Sequence, residues 1–264
     1  MKVIDGPTAL PLNAKFNRKP IVQRLDGVYY PMTIAGKKYR LANWPMKLIY
    51  RYLTDRVIFQ SNYSRHCAEL FFGRSKKDKA KVIYNAVNTE IFNPKGETVN
   101  LRDNSGQKVF VTASRFRRND QILPLLESWR IYREKYEKNV KLIIIGNFCR
   151  PFQPNPKNNF KVWGINAPKN VQFFGSVNND RLPVYLRSAD AFLFTHLNPP
   201  CPNNVLEAMA CGLPIVGVAD GAMPEICLNG QNAELIPSEG DGFWKPRDFN
   251  HELFAANMAK ITAN

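Results

Sequence analysis

Residues 191–219 read AFLFTHLNPPCPNNVLEAMACGLPIVGVA, and this stretch indicates the fold class most clearly. Its first apolar run, Ala191 to Thr195, predicts a buried strand. Asn203 can cap a helix that runs from Asn204 to Ala210. A second apolar run, Ile215 to Ala219, predicts the next strand. The stretch is therefore a strand–helix–strand unit, from which parallel sheets are built.

The same alternation extends toward the N-terminus. Strands separated by helices at this spacing predict a parallel sheet that is covered on both faces. The predicted strands are Pro20–Leu25, Asp55–Gln60, Val82–Tyr84, Lys108–Ala113, Val140–Ile145 and Val171–Phe174. The predicted helices are Lys47–Leu53, Tyr63–Phe72, Ile122–Tyr136 and Asn178–Ser188.

A change in composition predicts the domain boundaries. Residues 85–106 are polar and contain turn-forming residues, which is typical of a linker. The sequence therefore predicts an N-terminal domain over 1–84, a linker over 85–106, a ligand-binding domain over 107–245 and a C-terminal helix over 246–264.

Composition limits the class of protein. The chain has 264 residues, of which 44% are hydrophobic and 22% charged, so it can form a packed core. It lacks both an apolar stretch of ~18 residues and the apolar segment of a signal peptide, which predicts a soluble cytoplasmic protein. Five cysteines without C-x-x-C spacing predict reduced thiols. The three histidines have no neighbours at ligand spacing, so no metal site is predicted: His66, His196 and His251.

The formal net charge of +15 indicates what the protein binds and not how it folds. Nucleic acid, a phosphate-bearing substrate and an anionic membrane surface each fit such a charge. No known nucleic-acid-binding motif is present, which predicts that no specific nucleic acid is bound. Peripheral contact with the inner face of a membrane is an alternative to a purely cytoplasmic location. The sequence leaves the oligomeric state open.

Candidate ligand-binding residues follow the predicted strands. In parallel sheets, ligands bind beyond the carboxyl ends of strands, beside helix N-termini that suit phosphate groups. Glu207 lies about one turn into the helix and can accept hydrogen bonds from a pair of ligand hydroxyls. Its alternative role is a carboxylate stabilised by the helix dipole. Arg115 can bind phosphate oxygens through its planar guanidinium, or it is a surface arginine beside a strand end.

Five segments, taken together, resemble the retaining glycosyltransferases of family four, which belong to the group-1 glycosyltransferases. Pro202–Val216, with Gly221–Ile226 after it, is similar to the donor-site signature of that family. Val82–Pro94 is similar to its interdomain linker, and Thr112–Phe116 to its first C-domain strand with an arginine. Asn170–Thr195 is similar to its later strands.

The resemblance implies a GT-B architecture with a nucleotide-sugar in the cleft between two Rossmann-like domains. The C-terminal parallel-sheet domain would be complete and the N-terminal one incomplete. A UDP-, GDP- or ADP-sugar would be the donor, with no further cofactor and no obligatory metal. The sugar would pass with retention of configuration to a hydroxyl of a polysaccharide, lipopolysaccharide or glycolipid.

The resemblance also assigns roles to particular residues. Arg115 would pair with the donor diphosphate, with Arg118 as a source of additional charge. Glu207 would hold the ribose hydroxyls. Asp26 lies where the family often has a histidine that faces the donor; it would contact sugar hydroxyls or act in proton transfer, or it belongs to a common Asp-Gly turn. The implied backbone contacts to diphosphate, sugar or base lie at Asn203, Asn204, Val205, Gly146, Ser176 and Val177.

The sequence departs from the family pattern at two places. Pro199 stands eight positions before Glu207, where the family has an acid that contacts the transferred sugar. Asp120 lies in the region where the family has a lysine. These departures favour two alternatives to an active transferase, namely a binding module without transfer activity and a half-enzyme that needs a partner subunit. A protein that binds nucleic acid non-specifically is a third hypothesis.

Overall fold

The chain forms two compact units in a computed structural model that describes residues 9–34, 36–75, 77–116, 121–148, 161–162, 165–166, 168–245 and 247–263. The first unit comprises Met1–Asn85, Asn198–Cys201 and Glu239–Arg247. The second comprises Ala86–Leu197, Pro202–Ser238 and Asp248–Asn264. Each unit contains a parallel sheet, so the predicted α/β class is confirmed.

The first unit has a three-stranded sheet in the order β1-β2-β3, with both neighbouring pairs parallel. Alternate strand residues and one face of each helix form its core, which includes Leu25, Phe59 and Phe72. Its elements are α1 (Ala9–Phe16), β1 (Val22–Leu25), α2 (Lys38–Leu48), a π-helical turn (Ile49–Leu53), β2 (Arg56–Phe59), α3 (Asn62–Phe72), a 3-10 turn (Lys77–Lys79) and β3 (Ala80–Val82).

Helix α2 is longer than the predicted helix Lys47–Leu53. Pro45 lies inside α2, where a proline lacks the N–H that a helix needs and usually ends it. The predicted helix begins at Lys47, two residues after this proline, whereas α2 begins at Lys38. Helix α3 agrees with the predicted helix Tyr63–Phe72 to within one residue, and its N-cap is Ser61, whose Oγ accepts a hydrogen bond from Ser64 N at 2.9 Å.

Two distant segments return to the first unit. Tyr63 donates a hydrogen bond to Asn198 Oδ1 at 2.6 Å, and Asn198 Nδ2 donates to Gly242 O at 3.0 Å. The ring of Phe243 packs edge-on against Tyr30, with centroids 5.3 Å apart. Part of the region predicted as one continuous domain over 107–245 therefore packs with the N-terminal residues.

The second unit has a seven-stranded sheet in the order β12-β11-β10-β9-β4-β5-β8, in which the strands from β11 to β8 are parallel. A separate antiparallel pair joins β6 and β7. Its elements are β4 (Lys108–Ala113), α4 (Leu123–Lys135), β5 (Val140–Ile145), β6 (Lys161–Val162), β7 (Ile165–Asn166), β8 (Val171–Gly175), α5 (Leu182–Arg187), β9 (Ala191–Phe194), α6 (Asn203–Ala210), β10 (Ile215–Ala219), α7 (Met223–Ile226), β11 (Ala233–Glu239), β12 (Asp248–Phe249) and α8 (His251–Ala263).

The central strands of this sheet, β4, β5, β9 and β10, are buried on both faces. In β4, Phe110 packs with α4 and α8 on one face, whereas Val109 and Val111 pack with α5 and α6 on the other. This division follows from the alternation of side chains along a strand. It explains why the central strands are continuously apolar, as the sequence analysis assumed.

The polar segment predicted as a linker packs against the second unit. Phe92 and Leu101 are buried in its core. The Arg102 guanidinium pairs with Asp190 at 2.7 Å, and Val99 N donates to Ser188 Oγ at 2.8 Å. Residues 86–106 are thus an integral part of this unit, because a polar backbone can pack wherever side chains satisfy its hydrogen bonds.

Candidate functional site

The strand order places a topological switch point in the second unit. From β4 the chain moves outward in one direction to β5 and β8, and then returns to place β9 on the other side of β4. In such sheets, ligands bind outside the carboxyl ends of the strands at this point. The candidate site is therefore formed by the segments that follow β4, β5, β8 and β9.

The chain segments after β4 and β5 run side by side beyond the sheet. Ser114 N donates to Ile145 O at 3.0 Å, and Phe116 N donates to Asn147 O at 2.9 Å. Gly146 lies between them with φ of +134°, and a Cβ at this position would overlap the carbonyl oxygen of Ser114. A glycine is therefore needed here to let the two backbones approach. This gives Gly146 a structural role in addition to the predicted contact with a base.

An aromatic layer lies under this edge of the sheet. The rings of Phe116 and Phe148 stack with centroids 4.9 Å apart, and both residues are buried. His196 follows β9 and packs edge-on against Phe116 at 5.7 Å. In the sequence, His196 was considered only as a metal ligand, whereas its place just beyond a predicted buried strand is a signal for the candidate site.

Helix α6 begins beside the end of β4. The side chain of Asn204 joins the two elements, since its Nδ2 donates to Ala113 O at 2.7 Å. Its Oδ1 also accepts from Val205 N at 3.1 Å. The predicted cap at Asn203 is wrong, because Asn203 is the first helical residue and the N-cap is Pro202, which has no side-chain acceptor. Asn204 provides part of the missing capping from inside the first turn.

Replacing Asn204 with alanine is expected to lower the free energy of unfolding by about 1–2 kcal/mol, because a carbonyl and an N–H lose their partner. Urea unfolding measures this change. The control is Asn179→Ala, at an exposed asparagine of the same unit, and it is expected to stay within about 0.5 kcal/mol of wild type. Equal effects of the two substitutions would contradict the bridging role of Asn204.

Glu207 is a partly buried carboxylate on α6. Among the described residues it has no hydrogen-bond or ion-pair partner for its side chain. Burial raises the pKa of Glu207 above the ordinary value of 4.5. A carboxylate held in this way costs folding free energy when it is ionised, since no cation or donor compensates its lost hydration. Such a group is characteristic of a site that binds an external donor.

Arg115 follows β4 at the same edge of the sheet. It is two residues beyond Ala113, and its side chain is exposed with no hydrogen bond or ion pair to any described residue. Arg118, predicted to add charge, lies outside the described residues, as does Asp120. Gly175, the last residue of β8, and Ser176 after it are exposed, and Val177 is partly buried. The structure therefore brings most of the predicted donor-binding residues to one edge of one sheet.

Asp26 belongs to the first unit, where it follows β1. Its carboxylate pairs with Arg24 at 2.7 Å, and both side chains are well exposed. Asn198 belongs to the same unit, and the bonds of its amide to Tyr63 and Gly242 hold the loop that contains it. Pro199, which replaces the family acid, is buried.

The described residues contain neither a cluster of metal-ligating side chains nor a helix suited to crossing a membrane. In the described part of the chain, no three His, Cys, Asp or Glu side chains cluster in a way that could hold a metal ion. None of the described helices combines the length and apolarity that a membrane crossing requires. The cysteines that the structure describes are all buried thiols: Cys67, Cys201, Cys211 and Cys227.

A doubly wound parallel sheet with a candidate site at its switch point is typical of nucleotide-binding α/β domains. Residues 97–264, more than half of the chain, match the family described as glycosyl transferases group 1. The chain belongs to this family.

Similar proteins agree with this assignment. The chain is 26% identical over 214 residues to an uncharacterized glycosyltransferase of Methanocaldococcus jannaschii, a match that covers 77% of this chain and 48% of that protein. The chain thus spans about half the length of the curated relatives it matches.

Two solved structures share the fold. HepE of Anabaena, solved with UDP and glucose, matches with a TM-score of 0.68 and 19% identity, over 96% of this chain and 64% of that one. Sucrose-phosphate synthase of Thermosynechococcus elongatus matches with a TM-score of 0.71 and 16% identity, over 96% and 62%. These similarities confirm the GT-B type of fold that the resemblance implied.

Proposed function

We propose that the second unit binds a nucleotide-sugar and that the protein transfers the sugar, with retention of configuration, to a hydroxyl of a glycan or glycolipid. The single observation that carries this proposal is the partly buried carboxylate of Glu207 on α6, which has no hydrogen-bond or ion-pair partner in the described part of the chain. Membership of the group-1 family supports it, and the motifs of the sequence favour family four within that group.

Each part of the donor has a proposed partner. Glu207 accepts hydrogen bonds from the ribose hydroxyls, which supply the donors that the described residues do not provide. Arg115 and the N-terminus of α6 bind the diphosphate, because a guanidinium fork and backbone N–H groups both suit phosphate oxygens. The base lies along Gly146, Ser176 and Val177. UDP is the first candidate nucleotide, since HepE was solved with UDP.

The proposed reaction breaks the bond between the anomeric carbon of the sugar and the diphosphate. The electron pair leaves with the diphosphate, and its charge is stabilised by Arg115 and the α6 terminus. The acceptor oxygen forms the new bond on the same face of the sugar and loses its proton. Asp26 is the proposed acceptor of this proton; if Asp26 is instead a ligand of the sugar hydroxyls, the leaving diphosphate takes the proton. The proposed location is the cytoplasm, consistent with the buried thiols of the described cysteines.

A second candidate function is a nucleotide-sugar-binding module without transfer, or a half-enzyme that needs a partner subunit. Pro199 favours it, because a proline side chain cannot accept hydrogen bonds from a sugar. Incubation with the bound nucleotide-sugar and candidate acceptors tests both functions. Release of the diphosphate with a retained anomeric configuration, read by NMR, supports the transferase. Binding without any release supports the module, and release only after addition of a partner protein supports the half-enzyme.

Replacing Glu207 with glutamine is expected to stabilise the unliganded protein at pH 7 and to weaken nucleotide-sugar binding. The raised pKa means that the folded state binds the Glu207 proton more tightly than the unfolded state does. The unfolding free energy is therefore highest below the ordinary pKa and falls as the pH rises through the raised pKa. Glutamine removes this loss, so urea unfolding of the variant should show a flatter pH dependence.

Binding should respond to pH in the opposite direction. Wild-type affinity for a nucleotide-sugar is expected to fall as the pH drops through the raised pKa of Glu207, because a protonated carboxyl is a poorer acceptor for ribose hydroxyls. The affinity of Glu207→Gln should stay nearly constant over this range. A destabilised variant with undiminished affinity would contradict the role of Glu207 in binding.

A further inference from the structure

The positive charge of the protein is concentrated in the first unit. Residues 1–85 contain 17 Lys and Arg but only five Asp and Glu, which gives a net charge of +12 out of the +15 of the whole chain. The two segments that return to this unit add no net charge. The donor site proposed above lies in the other unit, so a diphosphate substrate does not account for this concentration.

Helix α2 and the π-helical turn after it present two different faces. The inner face is buried against the first unit through Asn43 and Tyr50. The outer face carries apolar side chains that remain exposed, with 77% exposure for Leu41, 59% for Trp44 and 77% for Tyr52. The spacing of these residues places them on one side of the helix. Large apolar side chains aligned in this way mark an interaction surface.

Basic side chains surround these apolar residues. Between Asp26 and Asp55 the chain contains no acidic residue, whereas the α2 region contains five basic ones. All five are exposed, and none forms an ion pair with a described residue. Two of them bond only to backbone carbonyls, Lys47 to Phe71 O and Arg51 to Arg74 O. The five residues are Lys37, Lys38, Arg40, Lys47 and Arg51.

The surface extends beyond α2. The Phe71 ring contacts Tyr39 of α2 edge-on, with centroids 5.9 Å apart, and stacks with Trp244 at 5.7 Å. Trp244 is 53% exposed. A second tryptophan therefore lies next to the basic and apolar residues of α2, within the same unit.

We propose that this surface docks the first unit onto the surface of an anionic lipid bilayer. In such a complex Leu41 and Trp44 enter the boundary between headgroups and acyl chains, and the surrounding Lys and Arg side chains reach the lipid phosphates. Exposed Trp and Tyr fit this boundary because each has an apolar ring and a polar atom. The basic residues alone would also fit nucleic acid, but an exposed leucine beside a tryptophan favours lipid.

Cosedimentation with vesicles tests the proposal, using phosphatidylcholine alone and phosphatidylcholine mixed with phosphatidylglycerol. The protein is expected to bind only the mixed vesicles and to be released by salt. The triple variant Lys37→Gln/Lys38→Gln/Arg40→Gln should bind about 100-fold more weakly, at about fivefold per charge. The matched control removes three exposed lysines from the second unit, as Lys95→Gln/Lys138→Gln/Lys169→Gln, and should bind within about threefold of wild type.

The apolar contribution needs its own pair of variants. Leu41→Ser/Trp44→Ser is expected to lower vesicle binding at least about tenfold. The control Leu228→Ser, at an exposed leucine of the second unit, should not change it. The proposal would be overturned if the Lys37/Lys38/Arg40 variant and the Lys95/Lys138/Lys169 control lost the same amount of vesicle binding. Vesicle binding at the wild-type level by Leu41→Ser/Trp44→Ser would also overturn it.

Nucleic acid is tested in parallel with labelled DNA and RNA. Tight binding that depends on Lys37, Lys38 and Arg40, without binding to mixed vesicles, would replace the lipid proposal. Nucleotide titration of the α2 variants separates this result from the proposed function, since these substitutions leave the second unit unchanged. A protein that binds vesicles but no nucleotide would refute the donor site and still support the docking surface.

Discussion

Gly146→Ala is expected to destabilise the protein by about 3–6 kcal/mol. The new methyl group would overlap the Ser114 carbonyl oxygen and lie 2.8 Å from its carbon, so the paired segments after β4 and β5 would have to separate. A non-glycine residue at φ of +134° adds backbone strain of about 1–3 kcal/mol. This total is a large fraction of the stability of a typical domain.

Gly175→Ala is the matched control for this substitution. Gly175 also ends a strand of the same sheet and has a positive φ of +69°, but a Cβ there would meet nothing within 4 Å. Its replacement is expected to cost about 1–2 kcal/mol from the backbone conformation alone. Urea unfolding measures the stability of both variants. If Gly146→Ala does not fold, the soluble yields of the two variants are compared instead. A Gly146 variant as stable as the Gly175 variant would contradict the close approach.

Arg115→Ala is expected to weaken the binding of the nucleoside diphosphate by about 100-fold, which corresponds to the loss of charge-assisted hydrogen bonds of about 2–3 kcal/mol. The affinity for the nucleoside without phosphates should be unchanged. Glu207→Ala should weaken both ligands, because the ribose is common to them. Calorimetric titration of the two ligands thus assigns each residue to a different part of the donor.

The control for Arg115 removes another exposed arginine from the same unit. Arg181 pairs with Glu97 at the surface, and such exposed pairs contribute little to stability. Arg181→Ala changes the net charge by the same amount as Arg115→Ala and is expected to leave diphosphate affinity within about threefold of wild type. Equal losses in both variants would indicate a general charge effect and would contradict a direct contact of Arg115.

The sequence predicted the central sheet of the second unit closely. The bounds of β4, β5 and β10 agree with the prediction, because strands buried on both faces are continuously apolar and are interrupted by polar loops. The positions of Arg115 and Glu207 at the carboxyl edge followed from the same pattern. That neither side chain has a partner among the described residues required coordinates, since a sequence shows which groups are polar and not what they contact.

Other features depended on contacts between distant residues. The return of Asn198 and Phe243 to the first unit rests on bonds to Tyr63 and packing on Tyr30, which are more than a hundred residues away. The start of α2 was missed because local propensity at Pro45 opposes a helix that tertiary packing nevertheless maintains. The capping of α6 was misassigned by one residue, since Asn203 and Asn204 are chemically equivalent in the sequence.

Calorimetric titration of the wild-type protein with UDP, GDP and ADP tests the central claim most directly, with Arg115→Ala and Glu207→Ala titrated beside it. The account predicts that one diphosphate binds with a dissociation constant on the order of 1 μM and that both substitutions weaken it. A folded wild-type protein that binds none of the three, or that binds one equally well in both variants, would contradict a nucleotide-sugar site at the switch point of the second unit.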